Sequence, residues 1–521
     1  MSFRILLVLW IAAAAVAEEY VKEQLPTLLT YDELRQLGEN DPPPPEVARK
    51  ADELLRTPFI NNEAWHSGVR PRRLYLPQVG TGLRVMVWNI ERGLNLDLIK
   101  LMFTDKKAFI DKSDARNIEA LQDLSDHVDH VVAADLLILN ELDWGMKRTE
   151  YREVVRELAQ TLGMNWAYGV EFLEVDPVNL GTEPFDETEI EESKKLQEML
   201  RVDPERFRGL HGSAVLSRYP IAEATLEPHN VIGYDWYRDE KNKASKLEKG
   251  RRKAAESVFL ETILREIRRG GRTVLTVTLD VPDLPEKRLS IVAAHIENKC
   301  KPEKRREQMR EILERIKDID HPVLLAGDLN TTLSDAQPVT IKREIYKRVG
   351  SASFWAQRGF KWATGVGLAY DVITVGVNKV KNLNDPTAKH VPVVASNPEA
   401  ALFEMIEKFR FSDGGAFDFR GMDERSGGRA GTLANSNQRG DKGFVTTYEV
   451  TRTVGPFGQF KLDWIFVKPY GKTVPSSEGS FRFSPHFPRT MKDLNYSYAE
   501  RLSDHNPMLV DLPFAEMPAK P

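Results

Sequence analysis

The chain holds one cysteine, Cys300, among 521 residues. A single thiol excludes an intramolecular disulfide, so the fold has to be held by its apolar core. The same scarcity, with no histidine pair at helical or finger spacing, argues against a structural zinc site. Lys299 and Lys301 flank Cys300 and would lower its pKa, but without an evident His and Asn constellation the thiol reads as a small side chain. An excess of one charge is also missing: 73 Lys and Arg stand against 78 Asp and Glu. The whole chain therefore does not advertise tight, nonspecific binding to a polyanion. Arg238 to Lys253 is a local basic stretch, densest at Lys249-Gly250-Arg251-Arg252-Lys253. Such a run is ordinarily a solvated face, with phosphate contact as the alternative. No internal repeat is apparent.

Long apolar runs are confined to the start. Arg4 precedes a 12-residue apolar core, Ile5 to Val16, and Ala15-Val16-Ala17 carries the small-x-small pattern of a signal-peptidase site. The core is shorter than the roughly 20 residues that span a bilayer. Residues 1–17 therefore read as a signal peptide, with an uncleaved anchor as the alternative, and no cysteine follows to carry a lipid. The expectation is a secreted or periplasmic protein with no integral membrane segment after cleavage. Removing Arg4 leaves 72 basic residues against 78 acidic. With 41% apolar and 29% charged residues, the profile is globular.

Glu18 to about Gly80 is helix-prone, polar and broken by Asp41-Pro42-Pro43-Pro44-Pro45, which is expected to be extended. It reads as an N-terminal extension rather than chemistry, ahead of one domain over 81–515. Leu83 to Trp88 alternates as a strand and ends in Asn89. A helix from about Asp111 to Ala134 leads to the apolar run Leu136 to Leu139, closed by Asn140-Glu141. Gly212 to Pro220 is a strand and turn; Arg288 to Ala294 is a strand ending in His295. A charged helix, Pro302 to Lys317, precedes the buried strand Pro322 to Ala326, which delivers Gly327-Asp328-Leu329-Asn330. Phe460 to Val467 and Pro507 to Leu512 complete the strands, the last directly after Ser503-Asp504-His505. Mixed strands and helices of this number predict an α/β fold of two packed sheets. Three stretches read as insertions: Glu171 to Arg208, acidic and helical; Glu227 to Lys253, charged; and Leu333 to Gly458, with the Gly-rich segment Gly414 to Gly443.

The polar residues that cap these strands form a set: Asn89, Glu141, His295, Asp328, Asn330, Asp463, Asp504 and His505. Each alone could be a turn residue, as Asp328 and Asn330 illustrate in an Asx turn. Together they supply oxygen ligands for a hard cation, amides for a phosphate oxygen and two imidazoles for proton transfer. Mg2+ needs one or two carboxylates with water and substrate phosphate, so Glu141 with Asp504 or Asn89 would suffice. His505 is the base candidate, with Asp463 to fix its tautomer. Asp328 and Asn330 would position the water and the phosphate. Glu91 and Arg92 read as an exposed local ion pair, with a supporting role behind Asn89 as the alternative, and Arg305 and Gln308 as packing or surface residues.

The ordered segments Trp88-Asn89-Ile90-Glu91-Arg92-Gly93, Asn140-Glu141, Gly212 to Pro220, Ala294-His295-Ile296-Glu297-Asn298, Gly327 to Thr331, Leu462 to Phe466 and Ser503-Asp504-His505 resemble the endonuclease/exonuclease/phosphatase superfamily. These are metal-dependent phosphoesterases related to pancreatic-type deoxyribonucleases and neutral sphingomyelinases. The resemblance runs from about Leu83 to Leu512, outside the three insertions. It implies a four-layer α/β sandwich of two mixed sheets flanked by helices, with the site at the ends of the facing sheets. It makes Glu141 the main metal ligand beside Asn89, His295 the residue that stabilises the phosphoryl group or assists the leaving oxygen, Asp328 the orienter of water, Asn330 a phosphate ligand and Asp463 the partner of His505. Asn140 and Trp464 depart from the Gln and Tyr of many members. The function implied is a Mg2+-dependent hydrolase of phosphoester bonds, with Mn2+ or Ca2+ as alternative ions. A nuclease or generic phosphodiesterase is favoured over a sphingomyelinase or inositol-lipid phosphatase, and a noncatalytic binding module on the same fold is the competing class. The partner expected is the phosphoester substrate, a nucleic acid or a phospholipid head group; no protein partner is evident.

Overall fold

In the computed structural model the described residues are 20–76, 79–177, 179–182, 201–241, 266–331, 385–389, 397–420, 425, 433, 435–440, 443–454, 457–469 and 482–514. The segment read as a signal peptide and the basic run Lys249 to Lys253 lie outside them. Among the described residues no helix is long and apolar enough to cross a membrane.

Alternation along the strands builds the layers. In the strand Gly80–Arg92, Leu83, Val85 and Val87 face one apolar cluster while Met86, Trp88 and Ile90 face another. The first cluster also takes Leu275, Val277, Leu324, Ala326, Ile465 and Val467, so it is the core between two sheets. The second is the outer face of the first sheet, covered by Leu124, Val128, Val155 and Leu158 of two helices. A third holds Val323, Leu325, Trp464 and Phe466 under Met309, Ile312 and Leu313 of the helix Pro302–Ile316. Period-2 strands can serve two cores at once, and the result is the four-layer α/β sandwich.

The larger sheet runs Glu23–Gln24, Phe59–Asn61, Asn165–Glu174, Leu210–Ser217, Leu136–Trp144, Gly80–Arg92, Met508–Pro513, His486–Thr490. The smaller runs Asp463–Lys468, Val323–Asp328, Arg288–His295, Thr273–Asp280, Ile221–Pro228. Each has one central parallel pair, Gly80–Arg92 with Leu136–Trp144 and Arg288–His295 with Val323–Asp328. Parallel neighbours need a crossover, supplied by the helices Ile118–Val132 and Pro302–Ile316, and they deliver their carboxyl ends to one edge. Asn89 pairs with Asn140 there, and His295 with Asp328.

Several elements differ from the sequence reading. Glu171 to Glu174 are not helical but end the strand Asn165–Glu174, because Trp166, Tyr168, Val170 and Phe172 bury that segment in the sheet. The N-terminal segment adds the strand Phe59–Asn61 to the same sheet through the pairing of Ile60 with Ala167. Of the proline run, Pro45 opens the helix Pro45–Arg56, at a position where a missing N–H costs nothing. The described parts of the long insertion pack on the smaller sheet and cover its edge strand. Asp418 N donates to Val467 O at 2.8 Å, and the Asn437 side chain receives Ile465 N at 3.2 Å and donates to Ile465 O at 2.8 Å.

Charge is buried beneath the strand ends. Arg148 makes a two-pronged bond to Asp143 at 2.6 and 2.8 Å, and Glu174 lies 3.8 Å from both Arg148 and Arg268. Burial pushes the Glu174 carboxyl up to about 7, against the two arginines and with Asp176 and Glu266 adding to the rise. Arg305 and Glu399 form an ion pair in which both side chains are fully buried.

Two outcomes follow for stability. A carboxyl whose folded pKa lies above its unfolded value is without penalty below about pH 4.5 and destabilises as pH rises through about 7. Glu174→Gln is therefore expected to gain stability over the parent by about 3 kcal/mol at pH 8 and by nothing at pH 4, measured by urea unfolding at each pH. Arg305→Met leaves Glu399 buried alone and is expected to cost about 3 to 5 kcal/mol, with most of it recovered in Arg305→Met/Glu399→Met.

Candidate functional site

At the end of the larger sheet the ladder breaks. Pairing slips between Asn89 and Arg92 on one strand and between Leu139 and Leu142 on its neighbour. Glu91, Arg92 and Glu141 sit there in the left-handed region, with φ of 47°, 66° and 56°. Non-glycine residues hold this conformation at a cost, and the bulges turn their side chains away from the regular alternation. Glu91 and Arg92 are consequently buried rather than an exposed pair: Glu91 Oε2 accepts from Asp504 N at 3.0 Å, and Arg92 Nη2 donates to Glu266 at 2.9 Å. The smaller sheet ends in the same place, with Asn330 at φ 47°.

The polar side chains converge on Asp328. Its Oδ2 accepts from Asn89 Nδ2 at 3.3 Å and lies 3.8 Å from both His295 Nε2 and His505 Nε2. His505 Nδ1 bonds Asp463 Oδ2 at 2.8 Å. Glu141 Oε1 stands 3.9 Å from His295 Nε2, and its side chain remains 26% exposed, so the cluster opens to solvent at Glu141. Asn330 donates through N to Asp328 Oδ1 and through Nδ2 to Ile296 O, both at 2.9 Å. Asp504 is half-buried beside them, its Oδ1 3.4 Å from Ser503 Oγ. Seven of the eight residues singled out in the sequence thus meet in one cluster, and Asp504 is joined to it through Glu91 and His505.

Other residues hold this set and escaped the sequence reading. His295 Nδ1 lies 3.2 Å from Glu171 Oε1 and 2.7 Å from Arg272 Nη1, and Arg272 donates to Glu171 at 2.8 Å. The carboxylate can only accept and the guanidinium only donate, so the imidazole tautomer selects between them, and in either case Nε2 is the edge turned to Glu141 and Asp328. His211, bonded to Asp143 at 2.9 Å, approaches Glu141 from the neighbouring strand. The signal for Glu171 is an acid set between Val170 and Phe172 inside the strand Asn165–Glu174, whose other acid, Glu174, is its last residue. Arg305 and Gln308 support the loop after His295: Arg305 donates to Cys300 O at 3.0 Å, and Gln308 accepts from Glu297 N at 3.0 Å.

Electrostatics separate these groups. Burial would raise Glu141, but His211, His295, Arg92 and His505 outweigh it and hold the carboxyl at about 2. Glu171 is likewise held far below the ordinary range, burial being overcome by His295 and Arg272. Asp328 moves the other way: burial, with Asp463 nearby, raises it against the pull of the two histidines. Burial lowers the His211 imidazole, whereas at His505 the adjacent Asp463, with Asp328 and Asp504, overcomes burial and raises it well above the usual value.

The cluster suits a hard cation. Glu141, Asn89 and Asp504 offer only oxygen, with no thiolate, and Glu141 stays ionised. His295 Nε2 is buried with no hydrogen-bond partner among the described residues, an edge that a bound polar group would satisfy. Asp328, Asp463 and His505 also place one ligand atom each within 4.8 Å of one another, but His505 Nδ1 is already taken by Asp463.

Among solved structures, the chain is similar to an endonuclease/exonuclease/phosphatase from Beutenbergia cavernae at 16% identity, covering 83% of this chain and 71% of that one, with a TM-score of 0.36. It is similar to a 3′-5′ exonuclease from Neisseria meningitidis at 12% identity, covering 82% and 99%, with a TM-score of 0.37. A truncated TDP2 from Caenorhabditis elegans is similar at 10% identity, covering 83% and 97%, with a TM-score of 0.33. No curated protein matches the chain. The Endonuclease/Exonuclease/phosphatase family matches residues 86–505, a span that begins in the strand before Asn89 and ends on His505. The chain belongs to the Endonuclease/Exonuclease/phosphatase family, whose members hydrolyse phosphoester bonds.

Proposed function

We propose that this protein is an exported, Mg2+-dependent phosphoesterase that attacks phosphorus with a water activated by His505, and that its substrate is a phosphodiester. The observation that carries the reading is the placement of two imidazole Nε2 atoms, each 3.8 Å from the same oxygen of Asp328. Those gaps are too long for direct hydrogen bonds and too short to hold an oxygen in line, so a water or a phosphoryl oxygen bonded to both atoms of a pair would sit to one side of the line joining them.

His505 Nε2 takes the proton of the attacking water while Asp463 holds Nδ1–H and stabilises the imidazolium that forms. Asp328 orients that water. His295 Nε2 and the second amide hydrogen of Asn330 face the phosphoryl oxygens, where negative charge builds in the transition state. Glu141, with Asn89 and Asp504, would hold the cation. Bound there, it supplies positive charge to phosphate oxygens and to the leaving oxygen. The completeness of the polar set favours this over a noncatalytic module, because loss of His505 alone would disable it. A nuclease or a phosphodiesterase acting on small diesters remains favoured over hydrolysis of sphingomyelin or inositol lipids. Export rests on residues 1–17 and is checked by fractionating cells that express the full chain.

The discriminating experiment is turnover of bis(p-nitrophenyl) phosphate, plasmid DNA, RNA, sphingomyelin and phosphoinositides with Mg2+, with chelator and in His505→Ala. Turnover is expected only with the metal, and the variant is expected to lose about 10²- to 10⁴-fold in kcat. Metal-independent turnover or a fully active variant sinks the mechanism. A raised imidazole pKa means the base is neutral only at higher pH. The ascending limb of kcat/KM should therefore lie above about 6.5, the ordinary histidine value, and move to lower pH in Asp463→Asn, with a lower plateau.

A further inference from the structure

Asp463 and His505 come from opposite halves of the sandwich. Asp463 opens the edge strand of the smaller sheet, in register with Asp328. His505 precedes the strand Met508–Pro513 of the larger sheet and is tied to that side: Trp88 Nε1 donates to His505 O at 2.8 Å, and Ser503 Oγ donates to Asn89 O at 2.7 Å. Their 2.8 Å bond therefore spans the gap between two sheets, and apolar packing alone sets that gap only loosely. A change of a few tenths of an ångström would degrade the bond that orients the imidazole.

One short segment touches both sides at this point. Thr447, fully buried, accepts Leu462 N and Asp463 N on its Oγ1, both at 3.1 Å, and donates its own N–H to Phe460 O at 2.9 Å. In the other direction, Asn506 N donates to Thr447 O at 2.6 Å, and Glu449 N to Asp504 O at 3.2 Å. Tyr448 makes an antiparallel bridge with His505, and its ring lies on the imidazole with centroids 4.8 Å apart, tilted by 59°. Thr447 Oγ1 has used both lone pairs, so its hydroxyl proton is left to donate. The acceptor beside it is the Asp463 carboxylate, whose Oδ1 is buried with no other donor among the described residues. These three residues lie near the end of the long insertion, Leu333 to Gly458, that the sequence reading left without a role.

We infer that Thr447 is a positioning residue for the water-activating pair: with Tyr448 and Glu449 it clamps Asp463 to His505 across the two sheets, so the insertion completes the site rather than merely decorating it. The inference rests on the phosphoesterase reading for its kinetic arm only. A side chain of the same shape without the hydroxyl removes both backbone bonds and the hydroxyl proton beside the Asp463 carboxylate, while leaving the apolar contacts; a serine keeps the hydroxyl.

The test compares Thr447→Val and Thr447→Ser with the parent, using the full chain. With bis(p-nitrophenyl) phosphate and Mg2+, Thr447→Val is expected to lower kcat by about 10-fold or more with KM within about 2-fold, and Thr447→Ser to recover to within about 3-fold of the parent. Independently of turnover, NMR of histidine-labelled protein should show a downfield imidazole N–H absent from His505→Gln; there are 10 histidines to resolve. That signal should shift or broaden in Thr447→Val and persist in Thr447→Ser. If Thr447→Val is unfolded by circular dichroism, Thr447→Ser and Thr447→Ala carry the comparison. Unchanged kcat and an unchanged signal in a folded Thr447→Val or Thr447→Ala overturn the clamp. A parent inactive on every substrate, with the signal still dependent on Thr447, would overturn the phosphoesterase reading and leave the clamp standing.

Discussion

The Asn140 side-chain amide reaches from one β-sheet into the other. Its Nδ2 donates to Ser213 Oγ at 2.8 Å on the neighbouring strand and lies 3.3 Å from Ala294 O in the facing sheet; its Oδ1 accepts Asp328 N at 2.9 Å. Elsewhere the sheets meet through an apolar layer, which is nondirectional and tolerates sliding. At this end the layer gives way to hydrogen bonds, and the carboxyl ends of both parallel pairs are locked at one distance. Gly327 is what lets the sheets come so close: it sits at φ 138°, and a Cβ there would meet Ala294 O at 2.0 Å and Asn140 Oδ1 at 2.9 Å. Asn in place of a longer Gln is therefore a matter of spacing, not a neutral departure.

With that distance set, burying so many charges becomes feasible. Glu171 is neutralised by Arg272, Asp143 by Arg148, and Asp463 by His505, each within 2.8 Å. An unpaired charge in the same place would be far more expensive than these pairs. The pairing also leaves the functional edges outward: both imidazoles use Nδ1 for support and turn Nε2 to Asp328. Left-handed backbone at Glu91, Glu141 and Asn330 fits the same economy, since strain of this kind survives only where the surroundings over-determine it.

The order of strand-end residues was legible because each borders an apolar run, alternating or continuous, whose length marks a strand. The helices read from about Asp111 to Ala134 and from Pro302 to Lys317 were legible as such, and they run over Ile118–Val132 and Pro302–Ile316. Glu171 was not, since an acid beside the acidic segment that follows reads as part of an exposed insertion; only its pairing with His295 and Arg272 reveals it. Glu91 and Arg92 were misplaced on the surface because two bulges, invisible in the hydrophobic pattern, turn them inward. Thr447 has no pattern of its own: Oγ1 matters because of where Asp463 and His505 meet.

By itself, the sequence determined the class of fold and the inventory of chemistry, because hydrophobic period specifies strands and the residue that ends a strand specifies what it presents. Tertiary structure alone decided how the rest is used: which carboxylate supports His295, which acids become structural, and which part of a long insertion reaches the site. The physical reason is that such contacts join segments hundreds of residues apart, as Asn89 joins Asp328 and Trp88 joins His505, and local propensity carries no information about them.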